Sequence, residues 1–477
     1  MKKLIITLII PLLLLDFSCS DLDLAPISTI ATGSMWRTTD DAVSAKIGMY
    51  GLFRSAFADN YQWYTETRTG FYKFGKSFYE RYRSHIDNQL DAASLGADWT
   101  DFYTLINQCN LILKYVPTIN FTNTDVQNQV LAEAHFIRAY TYYWLVRIWG
   151  EVPVIITPLE SDDQENLYPV RESTTSVWTL IKDDLGKAEA MYPANKIQPA
   201  YFANSSAIQM LKTDVYLWLY KVENESNALA TAETGINSVL ATQLYGLENN
   251  FRDVFRNESN RENIFTIYRE TEESGTSWLN LTIWRDGDVP VQYHNNPVPV
   301  GADNVYAYTD LAWGLLYEDE RDQRASETID SLVTPGNVFE WGVKYSGEYT
   351  DRRRWDQDHH LYRFAEALLF KAEIENEKGN SSSAVDFLNQ VAKRAYGVDD
   401  YYNQSLSKEE INAAILKERA KEFFFEGKYW WDLIRFGQVF QKVPSLMGRE
   451  NEQNVLLWPV AFNTINRNDK IVQTLGY

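Results

Sequence analysis

Residues 132–150 read AEAHFIRAYTYYWLVRIWG, and they have the pattern of a long helix. Apolar side chains recur there at steps of three and four residues, as a face of an α-helix requires. The pattern begins near Asp125 and closes at Gly150, shortly before Pro153. Glycine often terminates a helix and proline cannot continue one. The sequence therefore predicts a helix over residues 125–149.

The same helical pattern occurs on both sides of this stretch. A preceding helix is predicted over residues 98–117, so the two helices form a hairpin. Further helices are predicted at 175–191, at 205–221 paired with 227–240, at 361–378 paired with 381–395, and at 408–426. Hairpins of this length favour a mostly α fold with a tetratricopeptide-like scaffold. We expect the helical repeats at about 35–240 and 361–440.

Two parts of the chain depart from this helical pattern. Between residues 244 and 355 the helical period fades, and glycine, proline, asparagine and aromatic residues crowd together. Residues 60–82 have a similar composition. We interpret both as loops and short strands, where binding residues tend to collect on a rigid scaffold. A loop-rich, irregular ligand-binding region is therefore expected at about 244–355, with a contribution from 60–82.

Several sequence blocks resemble the SusD/RagB family and follow one another in that family's order. They are WTDFYTLINQCN at 99–110, AEAHFIRAYTYY at 132–143, YRFAEALL at 362–369, EGKYWWDLIR at 426–435, LWPV at 457–460 and QTLGY at 473–477. The resemblance extends over nearly all of the mature chain. Departures include Lys428 where the family usually has arginine, Ala461 after the Pro-Val pair, and Thr474 where asparagine often stands.

The resemblance implies both an architecture and a partner. It implies a tetratricopeptide-like helical domain that supports a variable ligand-binding region. It also implies a partnership with a SusC-like TonB-dependent channel, over which the protein would sit as a lid. Motif residues such as Glu133 and Arg138 are expected to form ion pairs of the scaffold and not a catalytic site.

The N-terminus has the features of a lipoprotein signal. Two lysines precede an apolar run at residues 4–15, which is long enough for a signal peptide and too short to span a bilayer. Ser18 then precedes Cys19, as in signals cleaved before a lipid-modified cysteine. We predict a signal peptide at 1–18, a lipid anchor at Cys19 and a single body at 19–477. The acidic tract after Cys19 resembles an export signal of Bacteroidetes lipoproteins, which predicts an outer-membrane protein anchored at the cell surface.

Composition excludes some classes of partner and favours another. The formal net charge is −20, and no cluster of basic residues offsets it, so nucleic-acid binding is disfavoured. The chain is rich in aromatic residues, with 15 Trp, 30 Tyr and 23 Phe. Most of these rings are expected to fill the core, and a minority to stack against sugar rings. We therefore expect an oligosaccharide-binding protein that delivers its ligand to the channel.

Two alternatives stay open at this point. Members of the family that resemble RagB handle peptides, so an oligopeptide ligand is the first alternative. A surface glycoside hydrolase is the second, because such an enzyme needs only two suitably spaced carboxylates. The sequence has no HExxH, Walker or GxSxG motif, and its five histidines have no metal-site spacing. We expect no catalytic residue, no metal site and no cofactor. The sequence does not decide whether a structural calcium ion is bound.

Eight side chains are candidates for contact with the ligand, on the hypothesis that the two irregular segments meet at one surface. Aromatic rings were chosen for stacking, and arginines for hydrogen bonds to hydroxyl or carboxylate groups. The first segment supplies Trp63, Tyr64, Arg68 and Tyr72, and the second supplies Trp278, Trp284, Arg285 and Tyr293.

Overall fold

The computed structural model describes residues 35–58, 61–194, 196, 198–256, 260–270, 277–345 and 357–477. The predicted signal peptide at 1–18 and the predicted anchor residue Cys19 lie outside these residues. Residues 257–259, 271–276 and 346–356 of the expected binding region or its borders also lie outside them.

The described chain is mostly helical, as the sequence predicts. None of the described helices combines the length and apolar composition needed to cross a membrane. The longer helices are α1 (Thr39–Phe57), α2 (Thr100–Tyr115), α3 (Thr124–Trp149), α4 (Thr174–Met191), α5 (Ser205–Lys221), α6 (Ala228–Ala241), α7 (Phe364–Glu377), α8 (Ser381–Tyr396) and α9 (Lys408–Glu422).

Helix α3 is the centre of the N-terminal half. The side chain of Asn123 accepts a hydrogen bond from the backbone N–H of Asp125 and caps its first turn. Gly150, with a φ of 72°, ends it. Every residue from Gln129 to Trp149 is buried, because α1, α2 and α4 surround the helix. The opening stretch of the sequence is thus a helix packed on all sides.

The remaining long helices form antiparallel pairs against this centre. Helix α5 packs on α6, and α7 packs on α8. Helix α7 also packs on α6, so the helices before and after the irregular region form one continuous stack. Helix α9 covers α7 and α8. This is the hairpin scaffold that the periodicity predicts.

The irregular parts contain short strands and single turns of helix. The strands are β1 (Tyr72–Phe74), β2 (Asn263–Ile267), β3 (Tyr306–Tyr308), β4 (Ile329–Thr334), β5 (Asn337–Gly342) and β6 (His359–Arg363). They pair antiparallel as β1 with β3, β2 with β6, and β4 with β5. The shorter α-helices are Tyr61–Tyr64, Arg83–Ile86, Asp253–Arg256, Asp310–Leu316, Arg324–Thr328, Tyr429–Arg435, Val439–Lys442 and Phe462–Arg467.

Two predicted helix boundaries differ from the structure by three residues or more. The helix predicted from residue 361 begins at Phe364, because residues 359–363 pair with β2 as strand β6. The helix predicted to reach residue 426 ends at Glu422. Phe425 and Gly427 follow with φ of 69° and 73°, a left-handed conformation that cannot continue an α-helix. We call residues 423–427 the α9 turn.

A buried ion network joins the irregular region to the helices. Arg363 is 1% exposed and pairs with Glu262 at 3.0 Å, with Glu422 at 2.6 Å and with Glu426 at 2.9 Å. Burial favours the protonated acid, but the charges of Arg363 and Lys344 outweigh it and hold the pKa of Glu426 at about 2. Glu426 is therefore ionised at neutral pH and depends on the neighbouring cations.

Replacing Arg363 by methionine is expected to lower the free energy of unfolding by about 3–5 kcal/mol, because three buried carboxylates lose their shared cation. The matched control is Arg321→Met, which removes an exposed ion pair with Asp319, a kind of pair that contributes little to stability. Urea unfolding followed by circular dichroism measures both variants. Equal stability of the two variants would show that the network does not have this role.

Candidate ligand-binding site

The two irregular segments lie side by side. Strand β1 of the first segment pairs with β3 of the second. Beyond β1, the N–H of Gly75 donates to the carbonyl of Val305, and the N–H of Ser77 donates to that of Asn304, both at 2.7 Å. A Cβ at Gly75 would lie 2.4 Å from the Asn304 carbonyl oxygen, so this close approach requires glycine. The structure thus brings residues 75–79 against residues 303–305.

An exposed cluster of three side chains lies at this junction, and we call it the Tyr79 cluster. The hydroxyl of Tyr79 accepts a hydrogen bond from Nη2 of Arg285 at 2.7 Å and donates one to Oδ2 of Asp303 at 3.2 Å. Nε of Arg285 donates to Oδ1 of Asp303 at 2.5 Å, and this bond raises the pKa of the guanidinium. Tyr79 is 38% exposed. The cluster therefore presents an aromatic ring beside a fixed donor and a fixed acceptor.

Arg81 and Tyr82 lie directly beside the cluster. The Arg81 guanidinium carbon is 4.9 Å from the ring centroid of Tyr82 and 5.5 Å from that of Tyr79. Its Nη2 donates to the Tyr82 hydroxyl at 2.9 Å. The ring of Tyr82 in turn stacks on Trp63 with a centroid distance of 5.4 Å. Aromatic packing in the interior therefore holds Tyr82, and with it Arg81, in place beside the cluster.

Four of the eight predicted ligand-binding side chains are enclosed in the interior. Tyr64, Arg68, Tyr72 and Trp278 are 2%, 0%, 1% and 4% exposed. A ring that is covered on both faces cannot stack against a sugar, and a covered guanidinium cannot reach a hydroxyl group. In this structure these four side chains have packing roles, and we do not retain them as candidates for ligand contact.

Arg68 illustrates the packing role of an enclosed side chain. Its Nε donates to Oδ1 of Asn88 at 2.8 Å, and its Nη1 and Nη2 donate to the carbonyls of Leu456 and Val455 at 3.1 Å. Its guanidinium also lies over the ring of Trp430 at 4.1 Å. Arg68 therefore joins the first irregular segment to the C-terminal part of the chain.

The three enclosed aromatic residues also use their polar atoms internally. Nε1 of Trp278 donates to the hydroxyl of Tyr61 at 2.7 Å. The hydroxyl of Tyr72 donates to Glu66 at 3.0 Å, and that of Tyr64 donates to the carbonyl of Gly96 at 2.9 Å. The polar tips of these rings are satisfied inside the protein, as expected for buried Tyr and Trp.

The other four candidates are partly accessible, but only Arg285 belongs to the Tyr79 cluster. Trp63 is half-buried between Tyr82 and His85. Trp284 is half-buried, and its Nε1 donates to the carbonyl of Glu340 at 2.9 Å. Tyr293 is half-buried against the hydrophobic core. Trp284 and Tyr293 lie in the same irregular region as Arg285 but make no direct contact with Tyr79 in the described hydrogen bonds and ring pairs.

Tyr79, Arg81 and Asp303 were not among the sequence candidates. Tyr79 does have a distinguishing signal, because it is followed by the charged residues Glu80 and Arg81, whereas Tyr64 lies between Trp63 and Thr65. Charged neighbours favour an exposed position for a ring. Asp303 has no such signal, because its role depends on the pairing of two distant segments.

An internal cavity near α9 is too small for a sugar or peptide. Its volume is about 20 Å³, which is room for about one water molecule. Charged side chains line it, including Glu366, Lys428 and Arg419. Among the described residues no group of three or more His, Cys, Asp or Glu side chains is arranged to hold a metal ion. This cavity is therefore not a candidate for ligand contact, whereas the exposed Tyr79 cluster is one.

The packing role of Trp278 is open to a direct test. Trp278→Ala is expected to lower the free energy of unfolding by about 3–5 kcal/mol, because it removes a large buried ring. Trp278→Phe keeps a ring and loses the hydrogen bond to Tyr61, so a smaller loss of about 1–2 kcal/mol is expected. Denaturant unfolding measures both variants. A Trp278→Ala protein as stable as the unsubstituted protein would contradict the assignment.

Comparison with known families gives two matches in different parts of the chain. Residues 256–477 match the model of the SusD family, and residues 43–217 match a model described as starch-binding associating with outer membrane. Together the two matches extend over most of the described chain.

Individual relatives agree with the family matches. The chain is 25% identical to SusD-like protein P38 of Formosa agariphila, over 96% of each chain. It is 22% identical to the starch-binding protein SusD of Bacteroides thetaiotaomicron, over 80% of this chain and 77% of that protein. A SusD superfamily structure from Bacteroides fragilis superposes with a TM-score of 0.81 at 25% identity, covering 93% of this chain and all of the other. The B. fragilis NanU structure has the same fold, with a TM-score of 0.81 at 24% identity over 95% of this chain and 99% of the other.

Proposed function

Because the chain belongs to the SusD/RagB family, we propose that it captures oligosaccharides at the cell surface and passes them to a SusC-like TonB-dependent channel in the outer membrane. The observation that carries this proposal is the Tyr79 cluster, an exposed ring whose hydroxyl is hydrogen-bonded to a guanidinium and to a carboxylate. The description of the matching family model as starch-binding and associated with the outer membrane supports it.

The chemistry of the cluster suits a sugar. The apolar face of a pyranose can lie on the Tyr79 ring, whose exposed fraction is 38%. Arg285 supplies N–H donors and Asp303 supplies carboxylate oxygens, which match the acceptor and donor roles of sugar hydroxyl groups. Both side chains are already oriented by their mutual hydrogen bond at 2.5 Å, so little ordering is needed on binding. A stacked sugar is expected to contribute roughly 1–3 kcal/mol, as a base does on an aromatic ring.

The same arrangement favours binding over hydrolysis. Both oxygens of Asp303 accept hydrogen bonds, one from Arg285 and one from Tyr79. Asp303 therefore serves as a hydrogen-bond acceptor within the cluster. We therefore propose that the protein is not an enzyme and that incubation with glycans releases no reducing ends at enzymatic rates.

Mutation of the cluster tests the site. Tyr79→Ala and Arg285→Ala are each expected to weaken oligosaccharide binding about tenfold, which corresponds to about 1.4 kcal/mol. Isothermal titration against a panel of oligosaccharides, with a peptide set alongside, measures this effect. Tyr168→Ala is the matched control, because Tyr168 is 54% exposed and lies outside the cluster.

The outcomes of this titration separate the alternatives. Peptide binding that depends on Tyr79, without glycan binding, would replace the proposal with a RagB-like peptide role. Glycan binding that is equally tight in Tyr79→Ala and Tyr168→Ala would place the site elsewhere. Release of reducing ends would favour the glycoside hydrolase.

Surface anchoring through Cys19 is part of the proposal. Cys19 follows the predicted signal peptide, and the acidic residues Asp21 and Asp23 come shortly after it. In cells fed labelled palmitate, the protein is expected to incorporate label, and Cys19→Ala is expected to lose it. Cys109→Ala is the matched control, because Cys109 is a buried thiol and is expected not to carry the lipid. Equal labelling of the two variants would contradict the anchor.

A further inference from the structure

Arg81 differs from three other cations on the surface around the Tyr79 cluster and resembles Lys76, which is also exposed and forms no ion pair with the described part of the chain. Lys73, Arg83 and Arg285 each have a carboxylate within 4.0 Å, namely Glu340 at 3.6 Å, Glu80 at 2.6 Å and Asp303 at 2.5 Å. Arg81 is exposed and forms no ion pair with the described part of the chain.

The guanidinium of Arg81 is nevertheless held in place. One of its five N–H groups bonds to the Tyr82 hydroxyl at 2.9 Å, and its carbon lies 4.9 Å from the centroid of that ring. Tyr82 itself is fixed, because it is 5% exposed and packs on Trp63 and Tyr306. The orientation is therefore established before any ligand arrives, and most of the donors stay free.

Building on the glycan-binding role proposed above, we infer that the site takes sugars that carry an anionic group, a carboxylate or a sulfate ester, and that Arg81 binds this group. A guanidinium matches the planar, paired oxygens of such groups and can bind them through two parallel hydrogen bonds. The Arg81 carbon lies 5.5 Å from the centroid of Tyr79, which is comparable with the size of a pyranose ring. Neighbouring sugars of one oligosaccharide can therefore contact both residues.

Arg285 is less suited than Arg81 to bind the anionic group of a sugar. Its Nε and Nη2 are occupied by Asp303 and Tyr79, so its charge is largely neutralised at the surface. The net charge of −20 would repel an anionic ligand at long range. That repulsion is screened beyond about 8 Å at physiological ionic strength, so the unpaired cation at Arg81 dominates at contact distance.

The experiment compares ligands that differ only in charge. Isothermal titration of the lipidated protein in detergent uses trigalacturonate and its fully methyl-esterified form, which has the same sugar rings without the carboxylates. A sulfated carrageenan oligosaccharide and its desulfated form provide the second pair. We expect at least tenfold tighter binding of the anionic member in one pair or both, and the pair that responds identifies carboxylate or sulfate as the group recognised.

Variants of Arg81 then assign the preference to this residue. Arg81→Gln is expected to weaken binding of the preferred anionic ligand at least tenfold and to change binding of its neutral partner less than twofold. Arg81→Lys keeps the charge without the paired donors and is expected to give an intermediate loss. Arg321→Gln is the matched control, because Arg321 is exposed and lies 5.5 Å from the ring of Tyr401, remote in sequence from the cluster.

The results distinguish failure of this inference from failure of the proposed function. Equal binding of the charged and neutral ligands by the unsubstituted protein would overturn the inference and leave glycan binding intact. Equal losses for both members of a pair in Arg81→Gln would also overturn it, because they would show that Arg81 only supports the fold of the site. Binding of none of the glycans, charged or neutral, would instead contradict the proposed function.

Discussion

Arg363 lies where strand β6 passes into helix α7, and it pairs there with three buried carboxylates. Glu262 comes from the start of the β2 segment, Glu422 from the end of α9, and Glu426 from the α9 turn. One guanidinium thus joins the irregular region, the strand that enters the scaffold, and the last long helix. Buried ion pairs add little net stability over apolar contacts, because desolvation opposes them. We expect their effect here to be on specificity, because only one arrangement of these three segments pairs all of the charges.

The α9 turn extends this constraint to the first irregular segment. The N–H of Gly427 donates to Glu66 at 2.7 Å, and the carbonyl of Phe425 accepts a hydrogen bond from the Tyr61 hydroxyl at 2.7 Å. Burial raises the pKa of Glu66 to about 7, so this contact tolerates a neutral side chain, in contrast to the ionised network around Arg363. The chain between Tyr61 and β1 is therefore fixed to the scaffold by a turn more than 340 residues away. Strand β1 links this fixed segment to Tyr79, so the position of the Tyr79 cluster also depends on the turn.

Sequence periodicity was sufficient for the scaffold because helices are local structures. The bounds of α5 are those predicted, and α3 begins within one residue of its predicted start. The errors at α7 and α9 arise from pairing and backbone conformation. Arg363 belongs to a strand because β2 lies beside it, and α9 stops where the chain turns left-handed. Neither the strand pairing nor the left-handed turn leaves a periodic pattern in the sequence.

The candidate site could be predicted less well, for a related reason. Trp278 and Tyr72 occur in irregular, aromatic-rich sequence, and such composition is equally typical of exposed loops and of a core that fills gaps between elements. Their burial depends on the segments that pack over them, including the α9 turn, whose Phe425 contacts both rings. Arg68 and Arg285 were both predicted as hydrogen-bond donors to the ligand, but Arg285 is exposed and Arg68 is 0% exposed. The partners of Arg285, Tyr79 and Asp303, are 206 and 18 residues away. Tyr79 comes close through the pairing of β1 with β3, and Asp303 comes close because the N–H groups of Gly301 and Ala302 donate to the carbonyl of Trp284.

The enclosed side chains and those of the Tyr79 cluster differ in how freely they can be substituted. The enclosed rings and Arg68 bond to backbone carbonyls and to one another, so a change in any of them disturbs the scaffold. The side chains of the Tyr79 cluster bond mainly to each other at exposed positions. Substitutions at exposed positions usually change stability by less than about 0.5 kcal/mol. Charge and shape at the cluster can therefore change while the Arg363 network and the α9 turn keep the fold, so the proposed binding surface can vary on a constant scaffold.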